Sequence, residues 1–265
     1  MLPYIQIPDI PLGPITLHPF GILVATAVLL GYWLARRRTK KVGLDDLVLT
    51  AAVNWGLLGG FAMAHIFEVL AYHPEDLRQD PLVILKFWAG LSSFGGFIGG
   101  ALVAIVVLAI KRAAILRYID ALSWAFAPAW IFGRLGCTVA HDHPGRLTNF
   151  VLAVRYPDGP RFDLGLYEVP VAILITAVLW LLGRRERAPG TLVGTMAVLY
   201  GLARFGLDFL RATDLRYNDP RYFGLTPAQY GCLALVALGS VLLARAALHR
   251  PAPAATQPGE SLGAA

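Results

Sequence analysis

Seven apolar stretches, each close to the roughly 20 residues that cross a bilayer as a helix, divide this chain. They run at about 18–36, 46–71, 91–110, 115–139, 164–183, 190–212 and 226–248. A chain built this way must satisfy its backbone hydrogen bonds inside each segment, because hydrocarbon offers no partner. Stretches of this length are helices rather than the short alternating strands of a barrel. Composition agrees: 57% of the 265 residues are hydrophobic, 15% are charged, and mean hydropathy is +0.60. A soluble domain would carry about 25% charge. The expected fold is an all-α integral membrane protein of about seven transmembrane helices. One polytopic domain covers 1–248, and a disordered cytoplasmic tail covers 249–265, rich in Pro and Ala.

The basic residues fall in alternate loops. RRRTKK (36–41), KRAAILR (111–117) and RRER (184–187) follow the first, third and fifth stretches, while the other loops are mixed in sign. The positive-inside rule then places the N-terminus outside and the C-terminus in the cytoplasm. The net charge of +6 is explained by topology and does not point to nucleic acid. The first twenty residues lack a basic leader, so no cleavable signal peptide is expected. Cys137 and Cys232 form no paired framework, so no structural disulfide is expected. GLLGG (56–60) and FGGFIGG (94–100) would let helices approach closely.

Two stretches carry chemistry that a greasy chain has no structural need for. FGRLGCTVAHDHPGR (132–146) holds Arg134, His141, Asp142, His143 and Arg146 directly after an apolar run. YGLARFGLDFLR (200–211) spaces Tyr200, Arg204, Asp208 and Arg211 at i, i+4, i+8 and i+11, which a continuous helix would gather within about 80° of one face. Ionisable groups inside a membrane are costly and mark functional sites. Arginine grips phosphate oxygens with a planar, permanently charged fork. Arg134, Arg146, Tyr200, Arg204 and Arg211 are therefore candidate ligands for a phospholipid headgroup. The plainer alternative is an Arg–Asp pair that locks helices together, with the other arginines reaching to the interface. His141 and His143, which flank Asp142, are candidate proton acceptors or solvated loop residues. Two histidines and one aspartate lack a further ligand at recognisable spacing, so no metal is expected, nor any cofactor. His65 is expected to pack between helices.

The chain resembles the prolipoprotein diacylglyceryl transferase family over about residues 13–248. The resemblance rests on six motifs in order: GPITLHPFGILVATAVLLGYWLARRR, GGFAMAHIFE (59–68), YHPEDLRQDPLVILKFWAGLSSFGGFIGG (72–100), FGRLGCTVAHDHPGR, LYE (166–168) and YGLARFGLDFLR. It implies transfer of a diacylglyceryl group from phosphatidylglycerol to the lipobox cysteine of a prelipoprotein, in the bacterial inner membrane. The partners would be phosphatidylglycerol, prelipoprotein signal peptides and membrane lipids. By the same resemblance Arg134, Arg204, Asp208 and Asp142 become catalytic candidates, and Glu168 a structural ion-pair partner; His141 and His143, which are not family positions, join the catalytic candidates as a relocated imidazole. Phe20, Phe94, Cys137 and the Phe162–Asp163 pair replace polar family residues (tyrosine, histidine, asparagine and His-Pro). Asp142 and Asp208 stand where glutamate is usual.

The implied reaction needs a thiolate, cations on the departing phosphate, and exclusion of water. The arginines for the second task remain, while Phe94 has no imidazole for the first. Three readings stay open: an active transferase with a changed proton route, an impaired paralogue that binds phospholipid or lipoprotein, and a transferase on another lipid or acceptor. Other classes fit poorly. The last lysine is Lys111, so the final stretch offers no Schiff-base amine; no GxSxG occurs; and no inverted halves are evident.

Overall fold

The computed structural model describes residues 1–13, 15–87, 90–215 and 221–248; the expected tail lies outside them. Seven long helices fall where the apolar stretches do: α1 (Pro19–Lys41), α2 (Asp46–Phe67), α4 (Ser93–Ile110), α5 (Ile115–Ala140), α6 (Leu164–Leu182), α7 (Thr191–Leu207) and α8 (Pro227–Leu248). A short α3 (Pro74–Gln79) lies between α2 and α4. Local chemistry sets the ends. Asp45 caps α2 through Leu47 N (2.7 Å), Ser92 caps α4 through Gly95 N (3.3 Å), and Asp163 caps α6 through Leu166 N (3.0 Å), as short polar side chains do at helix starts. Pro19 opens α1 and Arg38, Lys40 and Lys41 close it, matching the helix dipole.

Six of these helices are long and apolar enough to cross a membrane by themselves. The exception among the seven is α5, which buries Asp120, Ser123 and Arg134 along with its alanines. It packs against α1, α4, α6 and α7, so its polar residues face protein rather than lipid. Helices α2 and α4 meet through their glycines: a Cβ on Gly60 would lie 2.9 Å from Gly96 O, and one on Gly99 would lie 2.2 Å from Met63 Cβ. No side chain fits at that separation, which is the use expected for GLLGG and FGGFIGG.

The basic loops meet at one end. Arg38 donates to Gly183 O (2.7 Å) and Arg117 to Val42 O (3.0 Å), which ties the α1–α2, α4–α5 and α6–α7 turns together. The opposite end carries the irregular structure that the apolar pattern does not announce. A hairpin pairs β1 (Ile10–Leu12) with β2 (Ile15–Leu17). A three-stranded antiparallel sheet forms between α5 and α6 from β3 (Pro144–Leu147), β4 (Val154–Tyr156) and β5 (Gly159–Asp163), in the order β3-β5-β4. After α2 the chain makes a π-helical turn, α3 and a 3-10 turn before returning at α4. His65 pins that excursion: its ring nitrogens lie 3.0 Å from Gly90 O and 3.0 Å from Val83 O. It is fully buried and packs as a helix-contact histidine.

Candidate functional site

The site forms where the last third of α5, the start of α6 and the end of α7 converge. Arg134 and Arg204 are both buried, and Glu168 on α6 stands between them. Arg134 Nε lies 2.9 Å from Glu168 Oε2, and Arg204 Nη1 lies 3.5 Å from Glu168 Oε1. Arg204 Nη2 lies 3.0 Å from Asp208 Oδ1, one helical turn on. Gly165 permits this arrangement. A Cβ there would meet Thr138 N at 2.9 Å, so only glycine lets the first turn of α6 come close enough to α5 for Glu168 to reach Arg134.

The charges balance, two against two, but the hydrogen bonds do not. Arg134 Nε, both Glu168 oxygens, Arg204 Nη1 and Asp208 Oδ1 are buried and lack a properly aligned partner. They are held by proximity of charge alone. The rest of Arg134 is spent on weak contacts: Nη1 to Cys137 Sγ at 3.7 Å and Nη2 to the Tyr200 hydroxyl at 3.4 Å. Charged donors prefer about 2.7–2.9 Å to an anionic oxygen. The Trp130 ring carries the guanidinium at 4.3 Å from its centroid, which holds it without consuming a donor. An arginine arranged like this has forks to give to an incoming anion.

Asp208 is anchored from the other side. Its second oxygen accepts from the Thr226 hydroxyl just before α8, and Gln229 ties Thr226 N (3.0 Å) and Phe205 O (3.2 Å). The helix-face expectation holds for Tyr200, Arg204 and Asp208 and stops there. Helix α7 ends at Leu207 and tightens into a 3-10 turn over Asp208–Leu210. Arg211 leaves in extended conformation and bridges backbone to backbone with Gly145 of the signature loop. Arg211 is therefore not on the Tyr200–Arg204–Asp208 face, because a 3-10 turn rotates each residue further than an α-helix does. Arg146 lies exposed on β3.

The HDH triplet divides. His141 ends α5 in the left-handed region, φ 51°, and turns its ring toward the N-terminal segment. Its Nδ1 is 2.8 Å from Asp163 Oδ2, its Nε2 3.2 Å from Ile5 O, and the ring stacks on Tyr4 at 4.1 Å. Both nitrogens are engaged away from the arginines. The same turn folds Asp142 and His143 back over the last turn of α5. Asp142 Oδ1 is 2.6 Å from His143 Nδ1, and these two side chains and Cys137 Sγ offer atoms within 4.8 Å of one another. The acid–imidazole pair thus borders the arginine cluster through Cys137. Phe94 is half exposed and packs edge-on to Phe67, and Phe20 lies 3.1 Å from the space beside Gly136. These two family positions present only carbon.

The short sheet at this end is held by Arg161 on β5. The guanidinium is buried and reaches Asp158 (2.7 Å), Asp214 (2.7 Å) and Gly145 O (3.1 Å). Its hydrogen bonds, and then its charge, hold both carboxyls below the usual range. Glu168 is the structural ion-pair partner expected of it, for two arginines at once, while Cys137 is a member of this site that the sequence did not place there. The signal for Glu168 was the LYE motif, and the signal for Cys137 was its place three residues after Arg134.

The family model for prolipoprotein diacylglyceryl transferase matches residues 9–245. Among curated proteins, the phosphatidylglycerol–prolipoprotein diacylglyceryl transferase of Chromohalobacter salexigens is 30% identical over 88% of this chain and 89% of its own length. The protein of that name from Nitratidesulfovibrio vulgaris strain Miyazaki F is 32% identical over 88% and 91%. That from a Janthinobacterium species is 31% identical over 91% and 95%. The family model covers most of the chain and the matches run nearly end to end, so this multi-pass membrane chain belongs to the prolipoprotein diacylglyceryl transferase family.

Proposed function

We propose that this chain transfers a diacylglyceryl group from phosphatidylglycerol to the lipobox cysteine of a prolipoprotein, at the outer side of the bacterial inner membrane. One observation carries the reading: two buried arginines share one carboxylate while most of their donors remain poorly used. The shared Glu168 keeps both guanidiniums inside the membrane without a lipid. An arriving phosphodiester displaces the weak thiol and phenol contacts of Arg134 and gains short, charge-assisted bonds. The acceptor sulfur, once deprotonated, attacks the glycerol carbon that bears the phosphate oxygen. A carbon–sulfur bond forms, the carbon–oxygen bond breaks, and its electron pair leaves on glycerol phosphate. Arg134 and Arg204 stabilise that growing charge in a water-poor site, where preorganised donors count most. The thiol loses its proton at the Asp142–His143 edge, which replaces the imidazole that Phe94 lacks.

The gathered basic loops support an orientation with seven spans, the N-terminal arm and the arginine cluster outside, and the C-terminus in the cytoplasm. The test is transfer by purified protein in detergent, with phosphatidylglycerol and a lipobox peptide. The peptide should gain one diacylglyceryl mass. Arg134→Gln and Arg204→Gln should each lower the rate by about 10²–10³, the usual effect of one lost donor to a developing anion. Lipid that binds in an arginine-dependent way without any transfer would replace the reading with a phospholipid-binding one.

A further inference from the structure

The edge that receives the thiol has a third member with its own chemistry. Among the described residues, Cys137, Asp142 and His143 form the one group of three Cys, His or acidic side chains whose donor atoms all lie within 4.8 Å of one another. The sequence suggested two histidines and an aspartate, which lack a ligand. The fold removes His141 to Asp163 and supplies Cys137 instead. We propose that Cys137, Asp142 and His143 bind a zinc ion whose open fourth position takes the acceptor thiol. This inference rests on the transferase reading and specifies how its thiol is activated.

The donor set points to that metal. One thiolate, one imidazole and one carboxylate form a mixed borderline-soft set suited to zinc rather than to magnesium or calcium. Three protein ligands with a vacant fourth position mark a catalytic zinc site, since structural sites are closed by four. Zinc bond lengths near 2.0–2.3 Å put tetrahedral ligand atoms about 3.3–3.6 Å apart, so Cys137 Sγ, which lies within 4.8 Å of both other donors, must close on them by up to about 1.5 Å while the Asp142–His143 contact opens by under about 1 Å. The means are present. Asp142 is exposed and His143 half-buried, both on the loop after α5, and their present 2.6 Å contact shows how close they already come. Two anionic ligands neutralise the dication. Arg134 Nη1, 3.7 Å from Cys137 Sγ, is then an outer partner that steadies the metal thiolate.

A thiol that coordinates zinc is deprotonated outright. The acceptor's proton passes to water, its sulfur stays nucleophilic on the metal, and the site lies beside the arginine that holds the phosphate. After displacement the product is a thioether, a weak neutral ligand, and it leaves. The metal thus does what Phe94, which has no basic group, cannot, and it places the sulfur next to the leaving group.

The test uses the full-length protein in detergent, stripped with a chelator, reloaded with zinc or cobalt(II) and desalted. Zinc should reach about one equivalent per chain and fall below about 0.1 in Cys137→Ser and His143→Ala, while Cys232→Ser retains it. Cobalt should give a thiolate charge-transfer band and tetrahedral visible bands that vanish in Cys137→Ser, and a lipobox peptide should shift them without lipid. Cys137→Asn serves as a second variant, and size-exclusion profiles establish that each variant folds. Wild type without stoichiometric metal, or a cobalt spectrum untouched by both Cys137 variants, overturns the inference. The two readings part cleanly. Transfer that proceeds undiminished in metal-free protein sinks the zinc site and leaves the transferase. Metal and peptide binding with no transfer to any phospholipid sinks the transferase and leaves the site.

Discussion

Glu168 offers a direct probe of how the buried charges hold the site. At an effective dielectric near 20, unit charges at the 2.9 Å and 3.5 Å separations of Glu168 from Arg134 and Arg204 attract by roughly 6 and 5 kcal/mol gross. Desolvation of all three groups offsets most of that. Removing one partner leaves the other charge buried and unpaired, which costs about 3–5 kcal/mol. Glu168→Gln preserves volume and one acceptor, and Arg204 keeps Asp208 at 3.0 Å, so we expect the lower end, about 3 kcal/mol. Arg134→Gln should cost a similar amount. The double variant should cost much less than the sum, because no charge is stranded between the two positions; a coupling of about 2 kcal/mol is expected. Unfolding in mixed micelles with increasing denaturing detergent, followed by tryptophan fluorescence, gives the four free energies. Strict additivity within about 0.5 kcal/mol would refute the claim that Glu168 is what keeps Arg134 buried.

Other perturbations reach other links of the structure. Gly60→Val should destabilise by about 1–3 kcal/mol, the usual cost of overpacking, because a side chain there meets the Gly96 carbonyl at 2.9 Å; the same unfolding assay reads it. Asp120 accepts from Gly190 N (2.8 Å) and Val193 N (2.9 Å) and so caps α7 from α5; Asp120→Ala should cost about 1 kcal/mol and loosen the α6–α7 turn to protease. Asp158 and Asp214 are held below the ordinary carboxylate range by Arg161. Their contribution is therefore complete above about pH 4, the unfolded value, and is lost as pH falls through the lower folded values. Wild type should lose stability in acid more steeply than Arg161→Gln, in thermal unfolding scans across that range.

The helices were legible because hydrocarbon leaves a chain little choice. Their apolar runs had to be helices of spanning length, and the observed ends fall within a few residues of the runs. Gly60 and Gly96 were legible as a close approach for the same reason. What the apolar pattern could not show lies at the outer end, where water competes for hydrogen bonds and short strands compete with loops. The β3-β5-β4 sheet and the excursion pinned by His65 carry no periodic signal long enough to see. At the site, spacing correctly joined Tyr200, Arg204 and Asp208 but overran at Arg211, where the 3-10 turn ends the face. The separate fates of His141 and His143 hinge on one left-handed residue at the end of α5. No helical pattern predicts that residue, since His141 is not the glycine usual there.

In the proposed reaction Arg134 and Arg204 hold the phosphate that departs as the thioether forms. The measurement that tests it most directly counts both products together: diacylglyceryl thioether on the lipobox peptide by mass, and glycerol phosphate released. One glycerol phosphate per thioether is expected in the wild type, and loss of both in Arg134→Gln and Arg204→Gln with the fold intact. Thioether made at wild-type rate by either arginine variant would contradict it.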